Sequence, residues 1–248
     1  MSVILTAAAL SFVCLALCIP ALTRCGPRRY ALWAVLFVLV LTTSTDLRRL
    51  VPLLPAFPGR YNWTGKLFEL IASLIALALL IGSGKWKREE FGLRRAFNAG
   101  TGRDIVRFLL PVLLIEFVAL WFLVPAGVPS IESHLFQLVA PGITEELAFR
   151  GVLLALLDRA FTGRVWLIGA PLGWGTVISS LLFGLWHGLD VDNHFHPTLE
   201  VAPIVIPTLG GFVLAWCRAR SGSLLLPILA HSGMNEIANL IALIKAEM

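Results

Sequence analysis

The chain has 248 residues, of which 58% are hydrophobic and 14% are charged, and its mean hydropathy is +0.84. A soluble globular domain is about half apolar and about one quarter charged, so this composition argues against an ordinary soluble fold. The net charge of +5 does not indicate nucleic-acid binding, because Lys and Arg cluster in short loops between apolar runs, where they orient membrane spans.

The predicted elements are apolar runs that can cross a bilayer, which takes about 20 mainly apolar residues. In lipid, backbone groups must bond within the segment, so each run is predicted to be a helix. We therefore expect an all-α, polytopic transmembrane helical bundle with about eight spans, the second of which is short enough to be tilted or interfacial. The runs are 2–23, 30–45, 65–83, 105–125, 134–157, 165–187, 199–217 and 223–243.

The distribution of basic residues predicts the orientation of these spans. Arg24, Arg28 and Arg29 follow the first run, which indicates a retained anchor rather than a signal peptide. The loops after runs one, three, five and seven hold thirteen Lys and Arg residues, whereas the other loops and the C-terminus hold five, with Lys66 among them. This bias predicts both termini outside the cytoplasm.

Two features carry weaker structural predictions. The cytoplasmic loop at about 84–104 contains Lys-Trp-Lys-Arg-Glu-Glu-Phe, which is either an amphipathic element on anionic lipid or a solvated loop. The cysteines have no metal-ligand spacing, so we interpret them as small apolar fillers without disulfides. They are Cys14, Cys18, Cys25 and Cys217.

The fifth run contains a cluster of charged residues, and charge inside a span points to function. Glu145 and Glu146 are about 100° apart on a helix, so they face different ways. Glu146 and Arg150 have the i,i+4 spacing of an ion pair, which leaves Glu145 free to face a cavity as a general base. The structural alternative is that Glu146 and Arg150 only lock helices together.

Two further polar groups lie in runs six and eight. His187 ends the sixth run, four residues after Phe183; alone, it is as well explained as an interfacial hydrogen bonder. The loop at 190–196 is rich in Asp and His but lacks an ordered ligand spacing. His231, Asn235 and Asn239 form one helix stripe, which suits either interhelical hydrogen bonding or the binding of an oxyanion.

These residues resemble the three motifs of the type II CAAX prenyl endopeptidase and bacteriocin-processing family, also called CPBP or Abi, whose members are glutamate-type intramembrane proteases. The motifs EExxxR, FxxxH and HxxxN occur in that order as Glu145-Glu146-Leu-Ala-Phe-Arg150-Gly151, Phe183-Gly-Leu-Trp-His187 and His231-Ser-Gly-Met-Asn235. The resemblance covers about 135–243. It divides the chain into 1–130, the N-terminal transmembrane helices and cytoplasmic loop, and 131–248, the catalytic helical core.

The resemblance implies a role for each matching residue. Glu145 would activate a water molecule, His187 would help to hold it, and Asn235 with His231 would stabilise the oxyanion. Glu146 and Arg150, with Phe183, would fix the local geometry. No cofactor or metal is implied.

The resemblance also implies a membrane-anchored protein or peptide substrate, cut near a C-terminal tail, in a bacterial or archaeal cell membrane. Membrane lipids are the other expected partner, and nucleic acid is not. Because the fifth span runs inward and the sixth ends outside at His187, the predicted topology opens the site toward the outer half of the bilayer.

Three other functions remain open from the sequence. Glu145, His187 and His231 would suit a zinc-dependent hydrolase with one open position. A non-enzymatic immunity or scaffold protein would keep the fold without the chemistry. A proton-coupled carrier would use Glu116 and Glu145, but the sequence has no inverted repeat to support it.

Overall fold

The computed structural model describes residues 2–23, 27–51 and 59–248, without the side chain of Arg48, so the predictions for Arg24 and Cys25 lie outside the described residues. Two short helical turns, Ile19–Leu22 and Leu47–Leu50, and a 3₁₀ turn, Arg88–Phe91, accompany the long helices. The long helices are α1 (Ser2–Leu17), α2 (Arg28–Thr45), α3 (Trp63–Gly82), α4 (Thr101–Leu123), α5 (131–160), α6 (Trp174–Gly188), α7 (Val201–Ser221) and α8 (Leu225–Glu247).

The fold is a helical membrane bundle, as the sequence predicts. Each predicted apolar run overlaps one of the long helices. Within the described residues, three helices are long and apolar enough to cross a membrane by length and composition: α3, α4 and α7. The apolar α1 is shorter. The total of eight spans therefore stays a prediction.

One hydrophobic core joins the two halves of the chain. Leu10 of α1 and Phe37 of α2 belong to the same buried cluster as Phe149 of α5 and Leu182 of α6. The described cysteines Cys14, Cys18 and Cys217 are buried and free, as expected of apolar fillers. The division at residue 130 stays a prediction.

The predicted helix over 165–187 is wrong at its beginning. Strand β1 (Arg164–Leu167) pairs antiparallel with β2 (Ala170–Gly173), and α6 begins only at Trp174. The turn residues Ile168 and Gly169 have φ values of 48° and 74°, the positive values that a tight two-residue hairpin requires. Hydropathy alone does not distinguish this apolar hairpin from a helix. A second pair, β3 (Leu189–Val191) and β4 (Pro197–Leu199), follows α6.

Two of the long helices contain a π-helical segment, where we had expected regular helix. In α4 it is Ile105–Leu109, and in α5 it is Leu147–Leu153, which lies between the α-helical parts Ile131–Glu146 and Leu154–Ala160. The π-helical segment of α5 begins directly after Glu146. A π-helical turn changes the direction of the side chains that follow, and such turns often occur at functional sites.

The loop at 84–104 packs against the bundle through two of its aromatic residues, and its binding to anionic lipid stays a prediction. Its aromatic residues Trp86 and Phe91 are 5% and 0% exposed. The Arg159 guanidinium lies 3.5 Å from the centroid of the Trp86 ring and donates to both carboxylate oxygens of Glu90 at 2.8 Å. Burial of the aromatic rings and this bidentate ion pair hold the loop against the end of α5.

The basic loops gather at one end of the bundle. Arg218, at the end of α7, donates to the carbonyl of Glu90 at 2.9 Å, so the loops after runs three, five and seven meet. Near the start of α1, the Thr6 hydroxyl donates to Asp190 at 2.8 Å, just beyond the end of α6. This grouping agrees with alternating helix directions.

Close packing of α6 on α7 depends on a glycine. A Cβ on Gly184 would lie 1.9 Å from Thr208 Oγ1 and 2.3 Å from the backbone oxygen of Ile204. We expect Gly184→Ala to lower the free energy of unfolding by about 1–3 kcal/mol, because the backbone of α7 would have to move away. Thermal unfolding in detergent measures this, with Gly233→Ala as the control, since no neighbouring atom lies within 4 Å of its added Cβ. Equal melting temperatures for Gly184→Ala and Gly233→Ala would contradict the prediction.

Candidate active site

The charged cluster of α5 is buried inside the bundle. Arg150 Nη1 donates to Glu146 Oε1 at 2.8 Å, and the two side chains are 1% and 0% exposed. Arg150 Nη2 also donates to the backbone oxygen of Gly211 on α7 at 3.2 Å. The expected Glu146–Arg150 pair is therefore present, and it joins α5 to α7 at a position where a glycine lets the backbone approach.

Both motif histidines are oriented through Nδ1. His231 Nδ1 lies 2.8 Å from Glu146 Oε1, and His187 Nδ1 lies 2.7 Å from the backbone oxygen of Phe183. A backbone carbonyl only accepts, and so does an ionised carboxylate, so each Nδ1 carries the hydrogen. The two Nε2 atoms are then available for chemistry.

Glu145 faces both of these nitrogens. Its Oε2 lies 3.9 Å from His187 Nε2 and 3.8 Å from His231 Nε2. These distances are too long for direct hydrogen bonds but suit one bridging water. Glu145 Oε2 is buried and has no hydrogen-bond partner among the described residues. The structure thus brings together three residues that the sequence places on three helices.

Phe183 packs at the centre of the motif residues. It is 3% exposed, and its ring centroid lies 4.3 Å from Arg150 Cζ. Its ring also meets the rings of His187 and His231 edge-on, with centroids 4.6 Å and 5.9 Å apart. One aromatic side chain therefore contacts the Arg150 cation and both imidazoles, and it limits how the imidazoles can rotate.

A cavity of about 420 Å³ opens beside the histidines. Asn235 lines it, as does the half-buried Glu116 of α4, whose Oε2 has no hydrogen-bond partner in the described part of the chain. The rest of the lining is mostly apolar. The lining residues are Val112, Ile115, Glu116, Ala119, Phe183, His187, Ile206, Pro207, Leu209, Gly210, Val213, Leu214, His231, Met234 and Asn235.

The polar stripe of α8 divides between two sites. Asn239, which shares a helix face with His231 and Asn235, donates to Glu236 at 3.0 Å and accepts from Ser133 at 3.0 Å. Glu236 also contacts His134 Nδ1. Asn239 therefore belongs to a separate network that joins α8 to α5.

Two charged residues at the site were missed from the sequence. Lys66 falls inside the predicted run 65–83, although we had counted it with the loop residues; it lies in α3, where its Nζ contacts Glu145 Oε1 at 2.5 Å and Glu69 Oε2 at 2.8 Å. The Asn62 side chain accepts from the Gly65 amide at 2.9 Å and caps this helix, so α3 begins before Lys66. The i,i+3 spacing of Lys66 and Glu69 at the start of an apolar helix was the available signal.

The ligand-rich loop after α6 is organised by hydrogen bonds to Asp192. The Asp192 side chain accepts from the backbone amides of His196 and His194 at 2.9 Å and 2.8 Å, and these bonds hold the pKa of Asp192 below its usual range. Among the described residues, no group of three or more His, Cys, Asp or Glu side chains is placed to hold a metal ion.

Residues 128–237 match the family model of the type II CAAX prenyl endopeptidases described as Rce1-like. This match confirms the family resemblance. All the motif residues that the sequence analysis identified, from Glu145 to Asn235, lie inside the matched segment 128–237. The matched residues 128–237 make up less than half of the chain, and together with the apolar helices they support a membrane protein that is similar to this family of peptide hydrolases.

One curated relative, an uncharacterized 24.3 kDa protein of Escherichia coli, is 33% identical over 94 residues, which is 38% of this chain and 36% of that protein. The match thus spans about a third of the length of that relative. No solved structure matches the chain.

Proposed function

We propose that this protein is an intramembrane endopeptidase that cleaves a membrane-associated protein or peptide near its C-terminal tail, with a water molecule activated by Glu145. The observation that carries the proposal is the position of Glu145 Oε2, which has no hydrogen-bond partner in the described part of the chain and lies 3.8–3.9 Å from two imidazole nitrogens. Two imidazole nitrogens thus lie within 4 Å of one buried carboxylate oxygen, and both histidines line the adjacent cavity.

In the proposed reaction, Glu145 Oε2 takes a proton from water while His187 Nε2 helps to hold the oxygen that attacks the scissile carbonyl. Asn235 and His231 donate to the resulting oxyanion. Glu145 then returns the proton to the leaving amine, so that no acyl-enzyme forms and the cysteines take no part. The Glu146 carboxylate accepts from His231 Nδ1 and orients the ring, which donates through Nε2 when both of its nitrogens carry hydrogen.

The substrate is sought by comparing membrane proteomes of cells with and without the protein. A C-terminal tail that stays uncut in its absence is the expected result. Cells that carry Glu145→Gln should accumulate the same uncut tail. If no tail differs while Glu145→Gln preserves every phenotype of the wild type, the protein is a non-enzymatic scaffold instead.

A zinc-dependent hydrolase is the second candidate, because an imidazole held through Nδ1 by an acceptor is also the usual form of a zinc ligand. We expect cleavage by the purified protein to persist after chelation, because the proposed reaction needs only water, Glu145 and hydrogen-bond donors. Metal analysis should find less than one zinc per chain. Stoichiometric zinc whose removal stops cleavage would favour the metal mechanism.

We propose that the site opens toward the outer half of the bilayer of a bacterial or archaeal cell. The Asp190 end of the bundle lies opposite the basic loops, which are expected inside. A reporter active only outside the cytoplasm should therefore be active when fused at residue 190 and silent when fused within 84–104. The reverse pattern would contradict this orientation.

A further inference from the structure

Lys66 is a buried lysine with an unusual set of neighbours. Its side chain is 11% exposed, and its ammonium contacts one oxygen of Glu145 and one of Glu69. The Trp186 ring, in the Phe183–His187 motif, lies under the same ammonium at 4.9 Å from its centroid. Three fixed partners hold the cation in place, unlike that of a flexible surface lysine.

This arrangement gives the two oxygens of Glu145 different environments. Oε1 is bound by Lys66 at 2.5 Å, whereas Oε2 has no hydrogen-bond partner among the described residues and faces the two Nε2 atoms. A carboxylate that is free to rotate about its last bond would exchange the two oxygens. The ion pair with Lys66 prevents this and leaves one oxygen, always the same one, directed at the histidines.

We propose that Lys66 is a positioning residue for Glu145: it holds Oε1 so that Oε2 faces the water, and it keeps the carboxylate ionised until it accepts a proton. This inference rests on the proposed function and adds a residue of α3, outside the matched segment 128–237, to the machinery. Preorganised groups of this kind contribute to catalysis because no rearrangement is needed during the reaction.

Lys66 is one of only two permanent cations buried near Glu145 among the described residues. The buried carboxylates there are Glu69, Glu145 and Glu146, and the buried permanent cations are Lys66 and Arg150. Arg150 is bound to Glu146, so Lys66 is the permanent cation that Glu145 contacts. Removal of Lys66 would leave Glu145 facing only two titratable imidazoles, and protonation of the carboxylate would become easier.

The test compares Lys66→Met and Lys66→Arg with Lys245→Met, a control that removes a lysine whose Nζ binds the backbone oxygen of Val124; neither residue lines the cavity. We expect Lys66→Met to lower kcat at least about tenfold with little change in KM. The acidic limb of its pH–rate profile should move up by about 1–3 pH units, the usual effect of one nearby charge. Lys66→Arg should restore the position of that limb, and Lys245→Met should match the wild type.

A role confined to holding α3 on α5 predicts a different result. Folded Lys66→Met protein with wild-type kcat, or with a uniform loss at every pH and an unmoved acidic limb, would overturn the proposal.

Infrared titration gives a second measurement that does not depend on activity. A protonated-carboxyl band of Glu145 should appear in Lys66→Met at a pH where the wild type lacks it. It is recognised as the part of the signal that is lost in Lys66→Met/Glu145→Gln, because Glu69 loses its cation in both variants. Absence of this band would refute the charge role even if no substrate is cleaved. Failure of the wild type to cleave any tail would instead refute the proposed function.

Discussion

Glu145→Gln is expected to lower kcat for cleavage by about 100- to 10,000-fold, the contribution typical of a positioned general base. The amide keeps the shape of the side chain and can still accept from Lys66 through its oxygen, but it cannot take a proton from water. The amount of protein in the membrane should stay near the wild-type level, because Glu145 does not take part in the Glu146–Arg150 pair. Quantitative cleavage in proteoliposomes measures the effect.

Glu132→Gln is the matched control on the same helix. Glu132 lies at the start of α5 and accepts from the backbone amide of Arg60 at 3.0 Å and from Trp63 Nε1 at 3.2 Å, away from the histidines. The Glu132→Gln protein should cleave the substrate at nearly the wild-type rate. Cleavage by Glu145→Gln at that same rate would rule out Glu145 as the base.

Arg150→Met is expected to lose about 3–5 kcal/mol of stability, which is enough to deplete the protein from the membrane. The substitution leaves the fully buried Glu146 carboxylate without its cation, and it also removes the hydrogen bond to the Gly211 backbone and the packing on Phe183. Unfolding in detergent and the amount of protein in the membrane measure the loss.

The double variant Glu146→Gln/Arg150→Met separates charge from packing. It removes both members of the pair, so it should be more stable than Arg150→Met although it remains inactive, because His231 loses the carboxylate that orients it. A double variant no more stable than Arg150→Met would show that Arg150 stabilises the bundle through packing rather than through charge.

The sequence predicted the Glu146–Arg150 ion pair, because helix geometry alone separates Glu145 from these two residues. It also placed His187 and His231 on separate helices, and the structure brings their Nε2 atoms to the same carboxylate oxygen. Their convergence needed three-dimensional packing, which no local spacing encodes.

Other features were beyond the local pattern. Lys66 looked like a loop residue that contributes to orientation, because its partner Glu145 lies 79 positions away in the chain. The hairpin around Gly169 has the hydropathy of a span, and its positive φ values are a property of the folded backbone. The π-helical segment Leu147–Leu153 likewise leaves no trace in the spacing of the motif.

The most direct test of a glutamate-activated water is cleavage by the purified protein alone. Wild-type protein in proteoliposomes, with a chelator present, is incubated with the membrane-anchored tail that accumulates in cells without this protein. Mass spectrometry then identifies the new C-terminus of the cut substrate. We predict one internal cut by the wild type and none by Glu145→Gln. A tail that stays intact with the wild type, or one that is cut equally by both proteins, would contradict this account.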